Sequence, residues 1–182
     1  IMLVMICLDS VQPHIEKKQW GNLDEALRII QQTRRYPPGA RYKWNLEVMW
    51  PLESYLQQAS DEKRQEVIQA IRSGSIGLNA LYTNPLTGLA NETEMSHFTE
   101  YACRFSEQYG IPITTALVSG VPGFTWGIVP ALAHSGVRYF ASAPNSGDRI
   151  GYVLKQWGDK PFYLMNNYWH TNYKADQEQR FI

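Results

Sequence analysis

Cys7 and Asp9 lie two residues apart, so a strand running through both would point their side chains to one face. A thiolate and a carboxylate placed that way could share a zinc ion, with further ligands from elsewhere. The competing reading makes Cys7 a small core residue and Asp9 a turn former or cap. Glu47 follows an aromatic-rich segment and precedes a helical one. It reads as a buried acid, or as a carboxylate favoured by the positive end of a helix dipole. Trp50, Tyr82 and Trp126 offer aromatic faces that suit the apolar C–H faces of a pyranose; filling a core is the other use of such rings. Ser119-Gly120-Val121-Pro122-Gly123 is a tight turn whose backbone N–H groups could meet an anion. It has no Lys-Ser/Thr pair of the phosphate-loop kind, and no Gly-x-Ser-x-Gly elbow surrounds Ser119. The histidines His14, His97, His134 and His170 read as surface or packing residues, with no partner at metal-ligand spacing.

The elements that must position these residues follow from periodicity. Residues 1–8 form a short continuous apolar run, expected to be a buried parallel strand. Residues 14–35 carry Leu23, Ala26, Leu27 and Ile30 at helical spacing, and Tyr36-Pro37-Pro38-Gly39 stops that helix. Residues 42–47 alternate as a strand, and residues 48–59 return to a helix period. Ser60 caps a further helix that buries Val67, Ile68 and Ile71 and ends at Gly74. Strands are expected at 76–81, 112–118, 137–141 and 162–165, with helices at 93–109 and 125–135. Strands alternating with helices imply parallel β–α units with right-handed crossovers, in one α/β domain, open or a partial barrel. In such folds ligands meet the carboxyl ends of the strands. That rule selects Cys7, Asp9, Glu47, Tyr82, Asn84, residues 119–124 and Pro144-Asn145.

Composition sets the outer limits. Among 182 residues, 17 Lys and Arg balance 17 Asp and Glu, which argues against a general nucleic-acid binder. Hydrophobic residues at 44% against charged residues at 19% allow a sizeable core and argue against global disorder. No apolar run approaches the ~20 residues of a membrane helix. Two cysteines make no disulfide framework. Ile1 is not an initiator residue, so the expectation is a fragment or a processed product. The apolar start lacks the basic region and small-residue cleavage site of a signal peptide.

Three stretches resemble one family. Arg41-Tyr42-Lys43-Trp44-Asn45-Leu46-Glu47-Val48-Met49-Trp50-Pro51-Leu52-Glu53 resembles the second strand and following helix of the N-terminal domain of glycoside hydrolase family 38, the α-mannosidase family, in its bacterial-type relatives. Leu78-Asn79-Ala80-Leu81-Tyr82-Thr83-Asn84-Pro85-Leu86-Thr87-Gly88-Leu89 resembles their third strand and loop. Val121-Pro122-Gly123-Phe124-Thr125-Trp126-Gly127, followed by Pro130-Ala131-Leu132, resembles their fourth strand-to-helix junction. The resemblance runs over about residues 22–162 and is lost in the tail, 166–182. It implies a seven-stranded, barrel-like α/β domain carrying zinc, and retaining hydrolysis of α-mannosides. In the family a His-x-Asp pair on the first strand and a later histidine bind the metal, and an aspartate before the fourth-strand turn is the nucleophile.

The resemblance therefore places Asp9 and Cys7 at the metal, with Cys7 standing where the family has His. The nucleophile position falls on Gly120, which cannot form a glycosyl ester. Glu47, Tyr82, Asn84 and Trp126 are expected to line a carbohydrate pocket. Two readings follow: a partial or degenerate α-mannosidase-like hydrolase, weak or inactive as written, and a non-catalytic module binding carbohydrate or a protein on the same face. A polysaccharide deacetylase-like reading needs an Asp-His-His set, and no suitable histidine pair is present. About six strands leave a seven-stranded barrel with unpaired edges, so an isolated chain is expected to be marginal or to self-associate. The chain stops before the region that supplies the later histidine. Gly120→Asp is accordingly expected to yield no zinc-dependent turnover of an aryl α-mannoside; measurable turnover would overturn the reading.

Overall fold

The computed structural model describes residues 13–119, 125–143, 156–157, 160–161 and 163–166. The chain divides into two compact units, Ile1–Asn79 and Ala80–Ile182. The strand expected at 1–8, the turn beyond Ser119 and Pro144-Asn145 lie outside the described residues.

In the first unit, helix α1 (Pro13–Thr33) packs on α2 (Trp50–Gln58) and α3 (Asp61–Arg72). Leu23, Ala26 and Leu27 of α1 are buried, as are Val67, Ile68 and Ile71 of α3. Ile30 is only half-buried. Helix α2 begins two residues later than its apolar pattern suggests, because Pro51 supplies a preset φ and needs no N–H partner in a first turn. Ser60 caps α3 by accepting the Lys63 N–H. One residue, Ala59, separates α2 from that cap. Arg64 reaches back from α3 and donates to the carbonyls of Leu56 (2.9 Å) and Ala59 (3.2 Å), satisfying the end of α2. Asp24, spaced to pair with Arg28, instead accepts the Tyr55 hydroxyl at 2.8 Å and meets Lys63 at 3.2 Å; Glu25 takes Arg28.

Strands β1 (Trp44–Asn45) and β2 (Ile76–Gly77) pair in parallel, with Trp44 opposite Ile76 and Asn45 opposite Gly77. Trp44 N–H donates to Ser75 and Leu46 N–H to Gly77, both at 2.9 Å. Both strands are shorter than the alternation at 42–47 and 76–81 implies. Past Gly77 a side chain meets the backbone of the neighbouring segment: the Asn79 amide donates to the Glu47 carbonyl.

In the second unit, β3 (Thr115–Ser119), β4 (Tyr139–Ala143) and β7 (Tyr163–Asn166) form a parallel sheet in the order β3-β4-β7. Their register runs Thr115 to Tyr139 to Tyr163. A short antiparallel pair, β5 (Gln156–Trp157) and β6 (Lys160–Pro161), lies between β4 and β7 in the chain. Helix α6 (Ile128–His134) crosses from β3 to β4, starting three residues later than expected so that Pro130 falls in its first turn.

The single helix expected at 93–109 is two helices, α4 (Glu92–His97) and α5 (Glu100–Tyr109). The apolar period runs through the break, so the pattern could not show it. Tertiary bonds make it. The Phe98 carbonyl accepts the Tyr82 N–H at 2.8 Å instead of continuing the helix ladder. Thr99, almost fully buried, bonds Ser135 hydroxyl to hydroxyl at 2.6 Å. Asn91 and Glu94 form a reciprocal capping box that starts α4 independently. Gly110, at φ 63°, closes α5 in the left-handed conformation that glycine adopts readily.

Burial, with help from the Asp24 hydrogen bond, raises the Tyr55 phenol well above the usual range. A group raised in the folded state keeps its full contribution below the unfolded pKa of about 10 and loses it as pH climbs through the folded value. Tyr55→Phe is expected to cost about 1.5–3 kcal/mol at pH 7. It should also flatten the fall in stability above pH 10, both read from urea midpoints.

Candidate functional site

The carboxyl end of the β1–β2 pair is built by Glu47 and Asn79. Both are buried, Glu47 at 6% exposure and Asn79 at 2%. They follow their strands within two residues, so the parallel register itself brings them side by side. The Asn79 amide donates to the Glu47 carbonyl and fixes the chain where it turns into α2. Glu47 is buried two residues before Met49, the N-cap residue of α2, which makes no side-chain cap bond. Trp50 opens α2 half-buried. Gly77 is held small by Asn45, whose side-chain amide occupies the place a Cβ would need.

The second unit carries Tyr82, Asn84 and Trp126. Tyr82 and Asn84 are half-buried in the loop after Leu81. The Tyr82 ring meets Tyr101 of α5 edge to face, with centroids 5.8 Å apart, and Tyr101, Phe105 and Tyr109 continue a ladder of rings along that helix. Arg104 lies 6.0 Å from the Tyr101 centroid. Trp126 is 57% exposed, so it is not a core ring. Its backbone is nonetheless anchored. The adjacent Thr125 N–H donates to the Thr87 hydroxyl at 2.7 Å, and Thr87 is buried. The loop holding Asn84 and the segment holding Trp126 are thus tied by one threonine pair. Leu86 and Leu89 of the same loop are exposed.

Cys7, Asp9 and Gly120 lie outside the described residues. Among the described residues, no group of three or more His, Cys, Asp or Glu side chains could hold a metal ion. His97 bonds Glu100 at 2.8 Å, and that bond, with Arg104 at 3.8 Å, holds the exposed Glu100 carboxyl below its usual range. His134 is exposed at the end of α6. No helix among the described residues is long and apolar enough to cross a membrane.

Asn79 is the residue that strand-end reasoning missed. Extending the third strand to Leu81 moved the expected strand end to Tyr82 and Asn84, past the true end at Gly77. A polar residue inside an otherwise apolar run, Leu78-Asn79-Ala80-Leu81, was the available signal. Asn79→Ala leaves the buried Glu47 carbonyl without that donor and is expected to cost about 1–3 kcal/mol. Asn79→Asp should do no better, because a carboxylate has no N–H to donate. Denaturant midpoints at pH 7 check both.

No family model matches this sequence, and no curated protein does. Solved structures do. A protein in the glycosyl hydrolase family 38 from Enterococcus faecalis is similar over 71% of this chain and 14% of its own, at 16% identity and a TM-score of 0.57. An α-mannosidase from Enterococcus faecalis V583 is similar over 71% of this chain and 14% of its own, at 17% identity and TM-score 0.56. A 4-α-glucanotransferase from Thermococcus litoralis is similar over 72% of this chain and 20% of its own, at 12% identity and TM-score 0.51. The chain spans no more than a fifth of the length of these proteins. At such identities the likeness is one of fold: this chain has a glycoside hydrolase-like α/β fold of short parallel strands and crossover helices, shared with structures of family 38.

Proposed function

We propose that this chain is part of a family 38-like, seven-stranded barrel-like domain, one partial catalytic-type domain over residues 1–182, and that it binds mannoside-like carbohydrate at the carboxyl ends of its strands. The observation that carries the reading is the fold likeness to a family 38 protein at a TM-score of 0.57. The exposed Trp126 offers a flat apolar face of the kind that stacks on a pyranose. Tyr82 and Asn84 offer hydrogen-bonding groups at the end of the same loop that Thr87 ties down. Glu47 is a buried acid at the carboxyl end of its strand.

In this proposal Asp9 and Cys7 hold zinc, which when bound supplies a Lewis acid for sugar hydroxyls. A hard carboxylate with a thiolate is a donor set that zinc accepts. The chain's own residues orient the sugar through Trp126, Tyr82 and Asn84. Gly120 occupies the nucleophile position and has no carboxylate to attack the anomeric carbon. Retaining turnover by this chain is therefore weak or absent. That glycine also favours the second reading, a non-catalytic carbohydrate- or protein-binding module on the same fold.

Zinc content of the purified chain, with Asp9→Ala alongside, tests the metal part. About one zinc per chain, lost in the variant, is expected. No zinc in either overturns it. Trp126→Ala should weaken binding of a mannoside by about fivefold or more without altering the melt, since the ring is exposed. Unchanged affinity would remove Trp126 from the sugar site.

A further inference from the structure

The amino ends of β1 and β2 carry chemistry of their own. A cavity of about 410 Å³ opens there, between the segments leading into the two strands and the ends of α1 and α3. Leu27, Ile30 and Ala70 give it an apolar floor, and Arg34, Arg41 and Tyr42 stand around it. Its size suits a small metabolite.

The arginines have donors to spare. Arg41 gives its Nε–H to the Tyr36 carbonyl at 2.9 Å, and Arg34 gives one N–H to Gln31 at 3.4 Å. Neither guanidinium has a carboxylate partner among the described residues. The Tyr42 backbone N–H is taken by Thr33, but the Tyr42 hydroxyl has no partner among the described residues. Burial, and to a lesser degree Glu25, raises that phenol, so at neutral pH it stays a donor. The acid lining the cavity, Glu66, is already engaged by Lys63 and Gln31, each at 3.4 Å.

The usual employment of arginines near helix ends is to satisfy terminal carbonyls. Other groups do much of that here. At the end of α3 the N–H groups of Ser73, Gly74 and Ser75 take the carbonyls of Gln69, Ile71 and Ala70. At the end of α1 the Thr33 hydroxyl takes Ile29 at 2.9 Å, and the Tyr36 N–H takes the Thr33 carbonyl at 2.9 Å. The forks of Arg34 and Arg41 are left facing a cavity with an apolar floor. Guanidinium forks match the paired oxygens of carboxylates and phosphates.

We propose that this cavity binds a small organic anion, its carboxylate or phosphate group held by Arg34, Arg41 and the Tyr42 hydroxyl and its apolar body lying over Leu27, Ile30 and Ala70. The site lies at the amino ends of the strands, whereas Glu47 and Asn79 lie at their carboxyl ends. It therefore stands or falls independently of the sugar reading.

Phenyl phosphate and inorganic phosphate are the probes, titrated into the 182-residue chain by calorimetry. Phenyl phosphate is expected to bind saturably and more tightly than inorganic phosphate, because only it covers the apolar floor. Arg34→Gln and Arg41→Gln should each weaken it by about tenfold or more. Tyr42→Phe should weaken it by a smaller factor while leaving the melt near that of the parent. Arg41→Gln also gives up the bond to Tyr36; if that variant loses its melt, Arg34→Gln carries the test, since its bond is to the exposed Gln31. Absence of saturable binding, or equal affinity in the parent and Arg34→Gln, would overturn the proposal.

Discussion

Parallel strands cannot be joined by a tight turn, and that constraint governs both units. A parallel neighbour is reached only through a crossover, so each strand end must hand the chain to a helix or loop. In the first unit β1 and β2 share two residue pairs, far too little ladder to stand alone. Helices α2 and α3 lie between them in the chain, and Leu52, Val67, Ile68 and Ile71 bury the apolar area that holds the unit together. In the second unit α6 makes the same crossing between β3 and β4, burying Ile128, Val129 and Leu132. Polar side chains then collect at the strand ends, where the backbone runs out of ladder partners. Asn79 on the Glu47 carbonyl is the plainest case.

Much of this was legible because it rests on local rules. The Ser60 cap and the buried faces of α1 and α3 follow from side-chain chemistry and a 3.6-residue period. What escaped is what depends on distant partners. The break at Phe98 and Thr99 is made by Tyr82 and Ser135, neither adjacent in sequence, while the apolar period passes through it unchanged. Strand length escaped for the same reason: the alternation at 42–47 runs on past the end of β1 at Asn45 to Glu47, whose carbonyl accepts from the distant Asn79 side chain. Asp24 shows the converse, a charge with a good local partner that is used instead across helices by Tyr55 and Lys63.

The candidate site divides along similar lines. Trp126 could be chosen from sequence as a flat aromatic at a strand-to-helix junction, but only the structure shows the ring exposed and its backbone pinned through Thr87. Glu47 could be read from sequence as acid or cap, and the structure adds that its side chain is buried just ahead of α2. Structural likeness to family 38 proteins speaks to the scaffold on which these residues stand. Chemistry on a shared scaffold is set by the side chains at its strand ends. The fold likeness therefore leaves the chemistry of this chain to the side chains that its own strand ends carry.

The joint between α4 and α5 has a further consequence. Because the Phe98 carbonyl is bonded by the Tyr82 amide, that amide is protected from solvent only while the joint keeps its shape. Its proton exchange rate is then a gauge of the joint, read from a loop outside either helix. Slow exchange at Tyr82 would mean that loop and helix pair open together as one cooperative piece. Fast exchange beside slow exchange in α5 would mean that the loop breathes on its own while the helix stays closed.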